Sequence, residues 1–122
     1  MQILFWRKKE NGSMKYDFIV THGTRKFFIK NKMVVGEKDK NGNLFYYLNG
    51  DLHRDNGPAV EWVDGTKEWY VRGVRHRSDG PAVIYPSNTK AWYKNGIYTK
   101  TEYPDGRVRE VGKVLESKNH EM

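Results

Sequence analysis

The sequence predicts an all-β protein built from tandem antiparallel β-hairpins, and three observations carry this prediction. Eight of the twelve glycines directly follow Asn or Asp, which is typical of hairpin turns because these dipeptides tolerate positive φ angles. The runs between these glycines are short and rich in aromatic and β-branched residues. One segment also recurs 23 residues later without insertion or deletion. The eight glycines are Gly12, Gly42, Gly50, Gly57, Gly65, Gly80, Gly96 and Gly106.

Six runs between the glycines are predicted to be β-strands. No stretch of about a dozen residues shows the three-and-four spacing of apolar positions expected of an amphipathic helix without a glycine inside it. The predicted strands cover residues 44–48, 58–63, 67–71, 81–85, 90–94 and 107–111.

The repeat is clearest in the middle of the chain. Residues 53–60 read His-Arg-Asp-Asn-Gly-Pro-Ala-Val, and residues 76–83 read His-Arg-Ser-Asp-Gly-Pro-Ala-Val. A third copy begins at residue 88 but carries Thr99-Lys100 in place of His-Arg, as expected of a degenerate end unit. Residues 22–29 match residues 64–71 in residue type, which indicates fainter units near the start.

The length of 122 residues is that of one domain. We predict a single β-repeat domain over residues 1–112. Within it, residues 1–40 form degenerate basic units, residues 41–98 form the clear repeats, and residues 99–112 form a degenerate end unit. Residues 113–122 are predicted to be a polar C-terminal tail.

The 23-residue shift places large aromatic residues in two columns on opposite faces, because side chains alternate along a strand. We expect the first column to be buried and its rings to stack between neighbouring units; it comprises Tyr46, Trp69 and Trp92. We expect the second column to bind a protein partner, since exposed tyrosines mixed with cations are typical of interfaces. The predicted partner-binding residues are Tyr47, Tyr70, Tyr93, Arg72 and Lys94.

Positive charge is concentrated near the start of the chain. The formal net charge is +7, and residues 1–40 carry ten Lys or Arg against four Asp or Glu. Such a basic region steers acidic proteins or phosphate backbones toward a molecule, although a solvated surface is an equally good interpretation. The predicted steering patch consists of Arg7, Lys8, Lys9, Arg25, Lys26 and Lys30.

The repeated histidines are the only candidates for catalysis. His53 and His76, each beside an arginine and near an acidic residue, could in principle cleave RNA by acid–base chemistry. Each His-Arg pair stands at a fixed distance from a Gly-Pro dipeptide, which favours a structural role instead. The sequence has no nucleophile elbow, phosphate loop or cysteine. We expect no enzymatic activity, no cofactor and no metal site.

The pattern Trp-Tyr-x-x-Gly-x-x-His-x-x-x-Gly over residues 69–80, with a further aromatic at Tyr85, resembles the MORN repeat. It is closer to the variant MORN-like repeats with His-Arg-x-x-Gly-Pro-Ala found in phage, giant-virus and bacterial proteins, and is similar to the repeats of YwqK-type antitoxins. The resemblance covers residues 41–98 and implies an elongated sheet that serves as an interaction platform. The common pattern has Gly-x-Gly after the histidine, so lipid binding is not carried over.

We therefore predict a non-enzymatic protein-binding module. The resemblance implies a phage or bacterial accessory factor that inhibits or neutralises a partner protein, and the basic region favours an acidic partner. The alternative is a nucleic-acid-binding protein that uses the basic N-terminal third.

The sequence also predicts where the protein resides. The absence of cysteine fits a reducing compartment. The apolar run at residues 3–6 is followed rather than preceded by basic residues, unlike a signal peptide. We expect a cytoplasmic protein, in the host cytoplasm if phage-encoded, that does not bind membranes.

Overall fold

The computed structural model describes residues 2–11, by their backbone only, and residues 14–111. The predicted polar tail at residues 113–122 therefore lies outside the described residues. All described elements are β-strands, which confirms the all-β prediction. The strands are β1 Gln2–Asn11, β2 Met14–His22, β3 Arg25–Lys30, β4 Met33–Lys38, β5 Leu44–Leu48, β6 Asp51–Leu52, β7 Val60–Glu61, β8 Lys67–Glu68, β9 Tyr70–Val71, β10 Val74–Arg75, β11 Val83–Ile84, β12 Lys90–Lys94, β13 Ile97–Glu102 and β14 Val108–Glu110.

Consecutive hairpins form one antiparallel sheet. Its strand order is β1-β2-β3-β4-β5-β7-β8-β11-β12-β13-β14, with β6 paired to β5, while β9 and β10 form a separate two-stranded pair. Short turns permit only antiparallel neighbours, so the order in the sheet follows the order in the chain. Each hairpin in the middle of the sheet is short. The strand returning from the tip pairs for two residues, as in β6 and β10, and then leaves its partner.

The tips of three successive hairpins are two-residue turns with positive φ at both positions. The dihedral φ is 51° and 87° at Asn49-Gly50, and 52° and 84° at Asn95-Gly96. Arg72-Gly73 adopts the same conformation, with φ of 50° and 82°. These values define type I′ turns, whose twist matches that of antiparallel strands.

Two of the predicted glycine turns are wrong, and a third, at Gly12, lies outside the described residues. Gly57 and Gly80 have no positive φ and lie in the loops before β7 and β11, rather than at hairpin tips. These glycines are required for a different reason, which concerns the arginine three residues earlier in each loop.

A small apolar core lies at the N-terminal end of the sheet. Met14, Tyr16, Phe28 and Tyr46 are buried together, and the rings of Tyr16 and Phe28 lie 4.9 Å apart. A Cβ atom at Gly36 would overlap the side chain of Met14. The absence of a side chain at this position therefore lets Met14 pack directly against β4.

Further along the sheet, a small residue lies between each pair of large aromatics. The backbone N–H of Tyr46 donates to Ala59 O at 2.8 Å, and Ala59 N–H donates to Glu68 O at 2.8 Å. Trp69 and Ala82 repeat the first contact at 2.7 Å. Ala59 and Ala82 are completely buried, so the Gly-Pro-Ala segments insert one strand between neighbouring aromatic strands.

This insertion corrects the prediction of a stacked and buried aromatic column. Tyr46 and Trp69 are two strand spacings apart, about 9.6 Å, so their rings do not stack directly on each other. Tyr46 is buried, whereas Trp69 and Trp92 are only half-buried. We call the face that carries these three residues the tryptophan face, and the opposite face the tyrosine face.

Candidate protein-binding surface

The two repeated histidines connect each hairpin to the tip of the next one. The backbone N–H of His53 donates to Tyr46 O at 3.0 Å, and its Nδ1 accepts from Arg72 N–H at 2.9 Å. His76 makes the equivalent bonds to Trp69 O at 3.1 Å and from Asn95 N–H at 2.8 Å. Because the backbone amide can only donate, Nδ1 of both imidazoles is unprotonated. Both histidine side chains therefore stabilise the packing of one hairpin against the next.

The arginine after each histidine covers an aromatic ring on the tryptophan face. The guanidinium carbon of Arg54 lies 4.0 Å from the ring centre of Tyr46, and Arg77 stands at the same distance from Trp69. Nη1 of each arginine also donates at 3.0 Å to the carbonyl of the proline four residues later. Further along the sheet, the ammonium of Lys100 lies 4.4 Å from the ring centre of Trp92.

This arrangement explains the glycines that do not form turns. A Cβ atom on Gly57 would lie 2.9 Å from the guanidinium carbon of Arg54, and a Cβ on Gly80 would lie 2.9 Å from that of Arg77. Only glycine lets the guanidinium lie between the loop and the ring. The histidine, arginine and glycine of the repeated segment are thus explained by the scaffold.

On the tyrosine face, a buried glutamate fixes Tyr47. Glu37 is 6% exposed, accepts from Arg25 Nε at 2.8 Å, and accepts from the Tyr47 hydroxyl at 3.2 Å. Burial, followed by the charge and the hydrogen bond of Glu37, raises the pKa of Tyr47 to about 12. Tyr47 is therefore a neutral hydrogen-bond donor at physiological pH.

A second glutamate organises the centre of the same face. Glu68 accepts from the Tyr70 hydroxyl at 2.9 Å, from Arg75 Nη2 at 2.5 Å and from the Trp62 indole N–H at 2.6 Å. Burial by itself would raise the pKa of Glu68, but these donors and the charge of Arg75 outweigh it and hold the pKa below its usual value. Burial and Glu68 raise the pKa of Tyr70.

Cross-strand partners place Tyr47 and Tyr70 on one face. Glu37 pairs with Phe45, Phe45 with Val60, and Val60 with Glu68. Paired residues on neighbouring strands point to the same side of a sheet, so Glu37 and Glu68 share one face. Since each tyrosine hydroxyl donates to one of these carboxylates, both rings lie on that side.

Tyr93 lies on this face as well, because Arg75 lies between it and Tyr70. The guanidinium carbon of Arg75 is 5.3 Å from the ring centre of Tyr70 and 5.0 Å from that of Tyr93. The ring of Tyr93 also makes an edge-on contact with Tyr98 at 5.6 Å. All three tyrosines are half-buried, so each ring keeps an accessible part while its neighbours restrain it.

The other two predicted binding residues do not join the tyrosines. Arg72 is exposed in a type I′ turn, and Lys94 is exposed at the end of β12, at the position before the equivalent turn. Side-chain alternation also places Lys94 on the face opposite to its neighbour Tyr93. Arg72 and Lys94 therefore lie at the edge of the sheet rather than among the tyrosines, and their part in partner binding stays a prediction.

The hairpin tips also carry an apolar strip that the sequence analysis did not identify. Its members flank the type I′ turns, and the turns stack because Gly73 N–H donates to Leu52 O at 2.7 Å. The 23-residue shift that aligns the tyrosines also aligns the apolar positions beside the turns, and this is the sequence signal for the strip. The strip comprises Leu48, Val71, Val74 and Ile97, which are 38–68% exposed.

The structure divides the predicted basic patch. Arg25 pairs with Glu37 and lies over Phe27, so it belongs to the tyrosine face rather than to a free cationic surface. Lys26 is exposed opposite Lys38 on β4, and Lys30 is half-buried opposite Met33. The side chains of Arg7, Lys8 and Lys9 lie outside the described part.

Two further features bear on function. None of the described residues forms a helix that is long and apolar enough to cross a membrane. Within the same residues, no group of three or more His, Cys, Asp and Glu side chains is placed to hold a metal ion.

Comparisons with known proteins do not identify a relative. No protein-family model, no curated protein and no solved structure matches the chain. The resemblance of residues 41–98 to MORN-like repeats stays a prediction from the sequence. The candidate surface is therefore defined by its own geometry, in which Tyr47, Tyr70 and Tyr93 share one face.

Proposed function

We propose that this protein is a non-enzymatic protein-binding module whose contact surface is the tyrosine face. The observation that carries the proposal is the restraint of three half-buried tyrosines on one face by Glu37, Glu68 and Arg75. Side chains already held in place lose little conformational entropy on binding, and tyrosine is enriched among the residues that dominate interface energies. The buried carboxylate of Glu37 and the half-buried carboxylate of Glu68 compensate the neighbouring arginines, so the face offers rings and hydroxyls more than net charge.

We further propose that residues 41–98 are tandem MORN-like repeats of 23 residues in an elongated sheet. The support is a set of contacts that occur twice at that spacing. These are the histidine Nδ1 bonds from hairpin tips, the arginine–ring stacking at 4.0 Å, and the close fit of arginine against glycine at 2.9 Å. Each contact links residues that the aligned segments share.

The non-enzymatic part of the proposal rests on the histidines. Nδ1 of both His53 and His76 accepts a backbone hydrogen bond, so the neutral ring carries its proton on Nε2 and has no free lone pair with which to act as a general base. Following the resemblance to phage and bacterial repeat proteins, the proposed role is that of a cytoplasmic accessory factor. It inhibits or neutralises a partner by covering part of the partner's surface.

Affinity capture from a bacterial lysate tests the proposal. The baits are the natural protein, a triple variant with Tyr47, Tyr70 and Tyr93 changed to Ala, and a control with Trp92→Ala. Trp92 is a half-buried aromatic residue on the tryptophan face, where the ammonium of Lys100 lies 4.4 Å from its ring centre. Circular dichroism verifies that each bait is folded. The natural and control baits should retain the same protein, and the triple variant should lose it.

The same experiment separates the nucleic-acid alternative. Capture that survives nuclease treatment and depends on the tyrosines supports protein binding. Capture that disappears after nuclease treatment, or that the folded triple variant retains, contradicts the assignment of the tyrosine face.

A further inference from the structure

The two repeated histidines differ at their second ring nitrogen. Because Nδ1 of each ring accepts a backbone hydrogen bond, the proton of the neutral ring is on Nε2. At His53, this Nε2–H donates to Asp55 Oδ1 at 2.8 Å. At His76, Nε2 has no hydrogen-bond partner among the described residues, so the ring presents an unused donor.

The two histidines differ in this way because the acidic residue of the second segment stands one position later than that of the first. The residue two positions after His53 is Asp55, whereas the residue two positions after His76 is Ser78. The acid of the second segment is Asp79, which accepts from Arg77 Nε at 3.2 Å instead. The first segment thus shows how a carboxylate fits this histidine, and the second segment lacks that carboxylate.

His76 lines a groove of about 620 Å³ between the loop that carries Arg54 and the loop that carries Arg77. Trp69 and Val71 also line this groove, so a partner's chain would find apolar surface beside the donor. Two arginines and two aspartates border it, so the fixed charges of the lining balance. The groove can therefore accept one anionic group without adding to an existing excess of negative charge.

We propose that His76 Nε2–H binds the carboxylate of an Asp or Glu side chain of a partner protein in this groove. The carboxylate occupies the position, relative to the imidazole, that Asp55 occupies at His53. The contact is a hydrogen bond from a neutral imidazole to an anion, which is stronger than a bond between neutral groups. The protein source of the carboxylate rests on the proposed function, whereas the carboxylate chemistry does not.

Nuclear magnetic resonance of the histidine side-chain nitrogens tests this site on the full chain at about pH 8, where histidines are ordinarily neutral. The probes are sodium acetate and the blocked peptide acetyl-Gly-Glu-Gly-amide, with sodium chloride at equal ionic strength as the control. Both carboxylates should shift the His76 resonances saturably and leave those of His53 nearly unchanged. Chloride should produce neither effect.

Three variants sharpen the test. Ser78→Asp supplies the missing carboxylate within the chain and should weaken binding of both probes at His76 at least about tenfold. Asp55→Ala should make His53 respond to the probes as His76 does. His76→Asn keeps an acceptor for Asn95 N–H through its Oδ1 atom but removes the Nε2 donor, so the variant should fold and fail to bind.

The outcomes separate the two sources of the carboxylate. Tighter binding of the peptide than of acetate assigns the site to a protein side chain, and equal binding assigns it to small carboxylates. An equal response to chloride, or an unchanged titration in Ser78→Asp, overturns the site. Tyr47→Ala serves as a cross-check, because Tyr47 lies outside the lining of the groove and the site should titrate normally in this variant even if the proposed function fails.

Discussion

At Gly57 and Gly80, the absence of a side chain makes room for an arginine. The guanidinium of Arg54 lies between the loop and the ring of Tyr46, donates to Pro58 O, and also pairs with Glu61 at 2.9 Å. A sequence pattern cannot distinguish a glycine needed for its φ angle from one needed for the space it leaves. Here the distinction depends on a contact with a side chain three residues earlier.

Gly57→Ala should lower the free energy of unfolding by about 1–3 kcal/mol, because the added methyl group displaces the guanidinium of Arg54. In a protein that already carries Arg54→Ala, the same change should cost much less, since the obstructing group is gone. Urea titration of the two single variants and the double variant measures this coupling. Additive effects of the two substitutions would contradict the packing explanation.

Glu68 should make stability sensitive to acid. Its folded-state pKa lies below the usual value, so its contribution to stability is present at neutral pH and is lost as the pH falls through that folded-state pKa. Stability should therefore decline as the pH falls below about 4. Glu68→Gln should weaken this decline and cost about 1.5–3 kcal/mol at pH 7, because it removes a charged acceptor from Arg75.

Tyr70→Phe is the matched control for this prediction. It removes one of the hydrogen bonds to Glu68 and leaves the ring in place. Its decline in acid should lie between those of the natural protein and Glu68→Gln. Urea titrations between pH 3 and pH 7 test the series, and an unchanged pH dependence in Glu68→Gln would contradict it.

At the scale of the elements, the hairpins differ in how many residues of the two strands stay paired. β6 and β10 leave their partners after two residues, whereas β13 stays paired with β12 from Ile97 to Glu102. The early departures occur where His-Arg follows the hairpin, and the long pairing occurs where Thr99-Lys100 replaces it. At the departures, the Gly-Pro-Ala segment takes the place of the returning strand and bonds to the strand that follows it, through Ala59 N–H to Glu68 O and Ala82 N–H to Ala91 O.

Arg72 is the least favourable first residue among the type I′ turns at the three successive hairpin tips in the middle of the sheet. It has φ of 50°, where the equivalent positions carry Asn49 and Asn95, which tolerate this region at lower cost. Arg72→Asn should therefore raise the free energy of unfolding by about 0.5–1 kcal/mol. The reverse change, Asn49→Arg, should lower it by a similar amount. Thermal unfolding of both variants checks the pair, and a destabilised Arg72→Asn protein would contradict the turn assignment.

The sequence was sufficient for elements that local signals define, and insufficient for contacts that join distant positions. Short runs and Asn-Gly turns predicted the strands and hairpin tips, because β-propensity and turn chemistry act locally. Side-chain alternation places Glu68 on the face of Tyr70, but its hydrogen bonds could not be predicted, because the equivalent positions carry Phe45 and Ala91. An alignment of recurring residues does not reveal the function of a position whose residue differs between the aligned segments.

At the scale of the whole molecule, charge and aromatic surface are separated along the sheet. Most of the positive excess lies in residues 1–40, whereas the tyrosine face and the groove beside His76 are built mainly from residues 44–98. Charges away from the centre of an interface act chiefly on the rate of encounter, and their effect is screened by salt. The basic end and the aromatic face should therefore respond differently to ionic strength.

Binding to a DNA duplex measures the affinity that the basic residues near the N-terminus provide by themselves. A combined variant with Lys8, Lys9 and Lys26 changed to Glu reverses three cations but leaves Arg25, which Glu37 needs, in place. The natural protein should bind a 20-base-pair DNA duplex only weakly at physiological salt, in the range of about 10⁻⁴–10⁻⁶ M typical of non-specific contacts. The combined variant should lose this binding, because phosphate contacts supply nearly all of it.

The tyrosine triple variant should bind the duplex as the natural protein does, since its changes leave the cations untouched. Fluorescence anisotropy at several salt concentrations gives both the affinity and its salt dependence. Binding tighter than about 10⁻⁷ M at physiological salt, with loss in the charge-reversal variant alone, would exceed what non-specific phosphate attraction provides. The basic N-terminal third would then be the functional surface, and the nucleic-acid alternative would replace protein binding through the tyrosines.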